Sequence, residues 1–473
     1  MRIIRTFSST VKEITCLTLV LLFFYTFFLG SRILSVPDEA RYSEIPREMI
    51  VTQDYLIPRI NGVKYFEKPP LFYWIQVASI KLIGLNNWGL RFANMLLGVI
   101  GVLSTHLFVL TFYNRKIAWF ASLMLASMPL YFVMSHSITL DMSVATWISI
   151  SLFACYTATQ TTTAIKRRLL MYLAFSAAAC AVLTKGLIGI VFPAAIMGIW
   201  MLCFQQWRLL KILYLPSSIL LFLVITLPWH ILVQCKAPEF FDFYVIHQQL
   251  LRYTTMEAHR YQPFWFFIPV VLLGSLPWIV AFPRRIDFFK HKLSAFLLIW
   301  FAFIIVFFSA SHSKLIPYMV PALPPLAVLL ATQWQSVKKF IIVLFMTASV
   351  LLIALTHAER FDTRPIKPLT DILLTRITPQ DEVIAYHHYY QDLPLYLQRI
   401  ITVNEGFNEL TFGMQHENTS AWMIHDEAFF KRWYSDKTVY LVIDQEKYRS
   451  HPELAGTILA RTKTDLLVIN KQE

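Results

Sequence analysis

Eleven apolar stretches, each about as long as a bilayer is thick, leave this chain few folds to choose from. They are Ile14–Ile33, Arg91–Phe112, Ile117–Met134, Met142–Thr159, Leu169–Leu183, Leu187–Phe204, Ile212–Val233, Phe264–Phe282, Leu293–Ala310, Leu315–Thr332 and Phe340–Thr356. A helix crosses the hydrocarbon core with about 20 mostly apolar residues, and it is favoured there because its backbone polar groups pair within the segment. The expectation is a polytopic α-helical membrane protein with about eleven to thirteen spans. Leu169–Leu183 is among the shorter of them, and the proline-rich stretch near Pro321 is a candidate break. The composition agrees: 56% of the 473 residues are hydrophobic and only 15% charged, against about 25% charged in a soluble domain. Disordered, collagen-like and coiled-coil chains are excluded, as is an ordinary cytosolic enzyme. Five Cys exclude a disulfide scaffold. The 13 Gly form neither G-x-G-x-x-G nor G-x-x-x-x-G-K-[ST], so no nucleotide-cradling loop is expected.

The net charge of +13 has a topological explanation. Lys and Arg concentrate in short cytoplasmic loops. With the N-terminus inside and eleven spans, the inner segments hold sixteen basic residues, among them Arg115, Lys116, Lys166, Arg167, Arg168, Arg284 and Arg285, against two acids, Glu13 and Asp287. The basic excess is used up in setting orientation and requires no nucleic-acid partner. Ile14–Ile33 lacks an A-x-A-like exit and reads as a retained anchor rather than a cleaved leader. Three polar segments then face the outer side: the loop Leu34–Leu90, the loop Gln234–Pro263 and the tail from His357. The tail alternates strand-like runs (Val383–His387, Ile400–Val403, Val439–Ile443, Leu466–Ile469) with helix-like ones (Asp392–Gln398, Asp426–Trp433). It reads as a small α/β domain over 358–473, following a membrane domain over 1–357 that includes the outer loop 34–90.

Ionisable residues at span ends are where chemistry is sought in such a chain. Asp38-Glu39-Ala40-Arg41-Tyr42 follows the first span; Asp38 suits either a helix cap or a sugar-orienting or basic carboxylate. Glu67-Lys68-Pro69-Pro70 precedes an aromatic run in which Phe72, Tyr73 and Trp74 suit the bilayer interface. A Lys there is placed to hold a phosphate and a Glu to bind a metal. His247 and Arg252 lie in the second outer loop, where the planar guanidinium suits phosphate and a lone loop His is more often a surface residue. Asp141, Lys185 in Thr184-Lys185-Gly186, Lys314 and Tyr318 lie at further span ends, where a snorkelling role is the plain alternative. Taken together, a cationic outer face with a few carboxylates suits a phosphate-bearing lipid donor.

The paired motifs Asp38–Tyr42 and Tyr65-Phe66-Glu67-Lys68-Pro69-Pro70-Leu71-Phe72-Tyr73-Trp74 resemble the first outer loop of the lipid A aminoarabinose transferases, which group with the protein O-mannosyltransferases among GT-C glycosyltransferases. Thr184–Gly186 and Lys314–Pro325 also resemble that family, and the likeness covers about residues 10–335. It implies a bacterial inner-membrane enzyme with a cytoplasmic N-terminus and a periplasmic C-terminal domain. Such an enzyme passes a sugar, such as 4-amino-4-deoxy-L-arabinose, from an undecaprenyl-phosphate carrier to lipid A or another glycan or lipid acceptor. By family pattern Lys68, Arg252 and Tyr318 hold the carrier phosphate. Asp38 and Asp141 handle the sugar and the transferring centre, together with Lys68. Glu39, Arg41, Tyr42, Lys185 and Lys314 contact substrate, and Glu67 and His247 ligate a divalent metal such as zinc. A protein O-glycosyltransferase of the same fold is the nearest rival; a secondary transporter is a more distant one, because no internal repeat is evident.

Overall fold

The computed structural model describes residues 2–213, 215–252, 260–282, 291–358 and 366–471. Arg284, Arg285 and Asp287, used above to set orientation, lie outside them. By contact density the chain divides into two units. One comprises Met1–Leu29, Glu67–Phe72 and Arg91–Thr356; the other comprises Gly30–Phe66, Tyr73–Leu90 and His357–Glu473. The division differs from the expected boundary at 357/358, since most of the first outer loop groups with the tail.

The first unit is helical. Among the described residues, eight helices are long and apolar enough to cross a membrane singly: Ser9–Thr26 within α1 (Arg2–Thr26), then Asn87–Phe112, Leu140–Gln160, Ala164–Lys185, Pro216–Lys236, Lys292–Ala310, Ile316–Gln333 and Val337–Thr356. Arg115–Ser127 and Pro129–Ser135 meet at a 66° bend and count as a ninth if they form one span. Asn114 starts that pair, its side chain accepting from the Ile117 N–H, and Pro129 opens its second arm, where the missing N–H is no loss. The two remaining expected spans are shorter helices. Leu187–Phe204 is a 16-residue helix, Ile188–Cys203. Phe264–Phe282 is an eight-residue helix, Phe267–Gly274, and a short 3₁₀ turn, Trp278–Ala281. Leu140–Gln160 and Ala164–Lys185 form an antiparallel hairpin with a three-residue link, which sets Asp141 and Lys185 at one end of the pair.

The second unit is built on a six-stranded sheet in the tail. Its strands are β3 (Glu382–Tyr386), β4 (Thr402–Asn404), β5 (Met423–Ile424), β6 (Val439–Asp444), β7 (Thr457–Arg461) and β8 (Asp465–Ile469), in the order β5-β4-β3-β6-β8-β7. The first four run parallel, β8 runs antiparallel to β6, and β7 runs antiparallel to β8. The four strands expected from sequence are present, and so are the helices Leu393–Leu397 and Asp426–Trp433. β5 and β7 were not expected. Ile384, Tyr386, Phe429, Trp433, Leu441 and Val468 make the core.

The loop part of this unit carries α2 (Asp38–Thr52) and a hairpin of β1 (Arg59–Ile60) and β2 (Val63–Lys64). Asn61 and Gly62 both have positive φ at the turn, which Asn and Gly tolerate best. The Asn61 side chain donates to the Ile401 carbonyl (3.0 Å) and accepts from the Ile401 N–H (2.9 Å), while the Trp422 indole donates to the Asn61 carbonyl (3.0 Å). One amide thus imitates a rung of sheet pairing. Arg59 adds an ion pair to Glu417 at 2.9 Å.

Candidate active site

The helical unit gathers five of the expected charged residues into one cluster. Asp141 lies in the first turn of its helix and Lys185 in the last turn of the next, the signs that the helix dipoles favour. The Lys185 ammonium is paired with the Asp141 carboxylate. It also lies 4.7 Å from the centre of the Tyr318 ring, a cation–π distance, and Tyr318 in turn packs on Phe308. Lys68 precedes Pro69-Pro70, which hold the chain extended before the helix Leu71–Ile83 begins. Lys68 is 7% exposed, and its ammonium donates to the Glu67 carbonyl at 2.8 Å. Arg252 approaches the Glu67 carboxylate at 3.5 Å and donates to the Gln248 side-chain oxygen at 3.0 Å, one turn back.

Electrostatics bind the five together. Burial holds the Lys68 ammonium well below the ordinary lysine value; Arg252 lowers it further, Glu67 raises it, Lys185 lowers it and Asp141 raises it. Three cations thus face two carboxylates. An ammonium that burial and like charge push toward neutrality gains most from a bound anion.

Gly186 allows this arrangement. Its φ is +92°, and a Cβ there would fall 2.5–2.7 Å from the amide group of Gln249. Gln249 sits in the π-helical turn Asp242–Leu251, just before Arg252.

His247, Glu67 and Lys314 each have a defined partner. His247 is half exposed and its nearest carboxylate partner is Asp242, at 3.7 Å. Glu67 faces Arg252. Among the described residues no three His, Cys, Asp or Glu side chains converge as metal ligands. Lys314 donates to the Ser311 carbonyl and faces the Tyr261 ring at 5.7 Å, a span-end arrangement.

In the second unit, Asp38 does not cap a helix. The cap position of α2 is Pro37, and Asp38 lies inside the first turn with a half-exposed carboxylate. Arg41 approaches it at 3.5 Å. Glu39 is 2% exposed; it accepts from the Ser35 N–H at 2.8 Å and pairs with Arg32 at 2.8 Å. Its carboxylate closes the turn before α2. The Tyr42 ring is buried, 6.3 Å from that of Tyr73.

Two features escaped the sequence reading. One is Glu409, which takes the Arg41 Nε at 2.9 Å and lies in a tail where no motif was recognised. The other is a buried trio on α2: Arg47 is bonded through two nitrogens to Glu44, and Glu48 accepts from the Gly62 N–H with both oxygens at 3.1 Å. The Glu44-x-x-Arg47-Glu48 spacing puts all three within reach on one helix and was the available signal.

Comparison with known proteins gives this geometry a family. Residues 12–244 match the family described as dolichyl-phosphate-mannose-protein mannosyltransferase, and residues 369–470 match the aminoarabinose transferase C-terminal domain. A Proteus mirabilis (strain HI4320) relative, an undecaprenyl phosphate-alpha-4-amino-4-deoxy-L-arabinose arabinosyl transferase, is 34% identical over 323 residues, 66% of this chain and 58% of its own. A Shewanella sediminis (strain HAW-EB3) arabinosyl transferase with the same substrate in its name is 32% identical over 68% of this chain and 60% of its own. The chain thus spans less than two thirds of the length of these relatives. The crystal structure of ArnT from Cupriavidus metallidurans bound to undecaprenyl phosphate superposes with a TM-score of 0.85 at 27% identity, covering 98% of both chains. The many-span fold with its charged cluster and α/β tail is that of a GT-C membrane glycosyltransferase. Within that class the chain is similar to the aminoarabinose transferases, in the match to their C-terminal domain and in the ArnT superposition.

Proposed function

We propose that this chain transfers a sugar, 4-amino-4-deoxy-L-arabinose or a relative of it, from an undecaprenyl-phosphate carrier to lipid A or another acceptor. The reaction takes place at the outer face of a bacterial inner membrane, with the N-terminus in the cytoplasm and the tail in the periplasm. The observation that carries this reading is the buried Lys68 ammonium, set with Arg252, Lys185 and the carboxylates of Glu67 and Asp141. The Proteus relative and the undecaprenyl-phosphate complex of ArnT support the choice of donor.

In the reaction the bond from the anomeric carbon to the carrier-phosphate oxygen breaks, its electron pair leaving with the phosphate, and a new bond forms to an acceptor oxygen. Charge grows on the leaving phosphate, where Lys68 and Arg252 are already in place; fixed cations stabilise such charge without reorganisation. Tyr318 borders the same group and is held by Phe308 and the Lys185 ammonium. Asp141 fixes Lys185 and orients the sugar. Asp38 acts at the transferring centre, as base when the acceptor is a hydroxyl; a phosphate acceptor is already anionic and needs little deprotonation. Arg41 and Tyr42 stand beside Asp38 as substrate contacts. No step is routed through a metal.

The test is lipid A mass analysis of strains with the gene, without it, and with Lys68→Ala. Sugar-modified lipid A that disappears in the last two supports the reading; unchanged modification by the Lys68→Ala chain refutes the role of Lys68. The mannosyltransferase match over 12–244 favours one second reading, transfer to protein hydroxyls. Unmodified lipid A beside a glycosylated envelope protein would select it.

A further inference from the structure

We infer that Glu409, in the C-terminal domain, is a positioning residue for Asp38 and acts through Arg41. The inference rests on the reading of Asp38 given above. Arg41 is 7% exposed and has a carboxylate on each of two edges: Glu409 at its Nε (2.9 Å) and Asp38 at its Nη1 (3.5 Å). The Glu409 side chain is itself 9% exposed. The Gln391 side-chain amide donates to both of its oxygens at 3.3 and 3.4 Å, so it has little room to turn. Among the described residues Arg41 is the charged partner of Asp38, whose carboxylate stays half exposed.

The two contacts differ in kind. A guanidinium prefers a two-point clasp on a carboxylate, and Asp38 is one turn away on the same helix. Left with Asp38 as its principal anion, buried Arg41 would close onto it and occupy the oxygens that have to face the sugar. Glu409 takes the Nε edge and the closer distance. Arg41 then touches Asp38 at one long contact, which orients the carboxylate while leaving it open. The domain that carries Glu409 thereby gains a role that its lack of any recognised catalytic motif left unexplained.

The experiment uses the full chain in proteoliposomes with undecaprenyl-phosphate 4-amino-4-deoxy-L-arabinose and purified lipid A. Glu409→Gln keeps the shape and removes the charge. It should lower kcat about 10- to 100-fold, the scale of a small misplacement at a reacting centre, while the donor KM stays within about two-fold. Glu409→Asp should restore most of that loss. Arg41→Lys combined with Glu409→Gln should be no slower than the slower single variant, because both break one chain of contacts. Parental kcat in Glu409→Gln overturns the inference. So does a loss that vanishes once rates are normalised to folded enzyme, since that is a purely structural role. Asp38→Asn separates the levels. If it is inactive while Glu409→Gln is parental, only the positioning claim fails. If Asp38→Asn transfers normally, or the parental chain itself does not transfer, the underlying reading fails and takes the inference with it.

Discussion

At the residue scale the question is why a membrane protein keeps Lys68 charged where charge is disfavoured. Burial and Arg252 hold its ammonium below the ordinary lysine value of 10.5. The unfolded chain therefore binds that proton more readily than the folded one, so the residue costs stability at neutral pH and the cost falls as pH rises. Two outcomes follow. Lys68→Met should abolish transfer without lowering the Tm of the solubilised enzyme, and a lowered Tm would show that the cation is structural. As pH rises, the ammonium that meets the carrier phosphate is lost early, so the donor KM should begin to climb below pH 10.5, read from initial rates at fixed acceptor. Arg252→Lys should cost at least about ten-fold in kcat/KM, because a point charge does not replace a planar two-nitrogen fork. The residues behind these expectations were legible in the sequence because their neighbours are distinctive: Glu67-Lys68-Pro69-Pro70 and Thr184-Lys185-Gly186 pair charge with backbone-restricting residues. The pairing of Asp141 with Lys185 was not legible, since it depends on how a hairpin of two long helices aligns its ends.

At the element scale α2 is the unusual piece, an amphiphilic helix that buries Glu44, Arg47 and Glu48 together. Burial, with Glu44 as neighbour, raises the Glu48 carboxyl well above its ordinary 4.5, and burial raises Glu44. Raised acids bind protons more tightly in the folded state, so their stabilising contribution is full below about pH 4.5 and is lost as pH climbs through the folded values. Glu48→Gln, which can still accept from the Gly62 N–H, should be more stable than the parent at neutral pH and equal to it near pH 4. Thermal unfolding across that range measures the difference. Arg47→Met strands Glu44, which is fully buried, and should destabilise by about 3–5 kcal/mol. Periodicity found the long helices and the tail strands because those patterns extend over many residues. It missed β5 and the hairpin of β1 and β2, whose strands have two residues each, although Asn61-Gly62 carried the turn signal.

At the scale of the whole molecule, the helical unit and the α/β tail were both visible in composition, but the allegiance of the first outer loop was not. Asn61 with Ile401, Arg41 with Glu409 and Arg59 with Glu417 are contacts across more than 300 residues of sequence, and no local pattern announces them. A chain ended at His357 should still insert its spans. Its segment 34–66 should become sensitive to protease, and transfer should be lost; limited proteolysis of membranes followed by mass mapping reports the first effect. An intact, protected 34–66 in that shortened chain would show that the loop folds without the tail. The same dependence of chemistry on plain geometry recurs at Gly186, where a single hydrogen stands in for a side chain. The polypeptide there tolerates no width: the left-handed backbone strains any side chain, and a methyl group would push the Gln249 amide off the Leu187 N–H from which it accepts at 3.2 Å, loosening a tie between two segments without touching a reactive group.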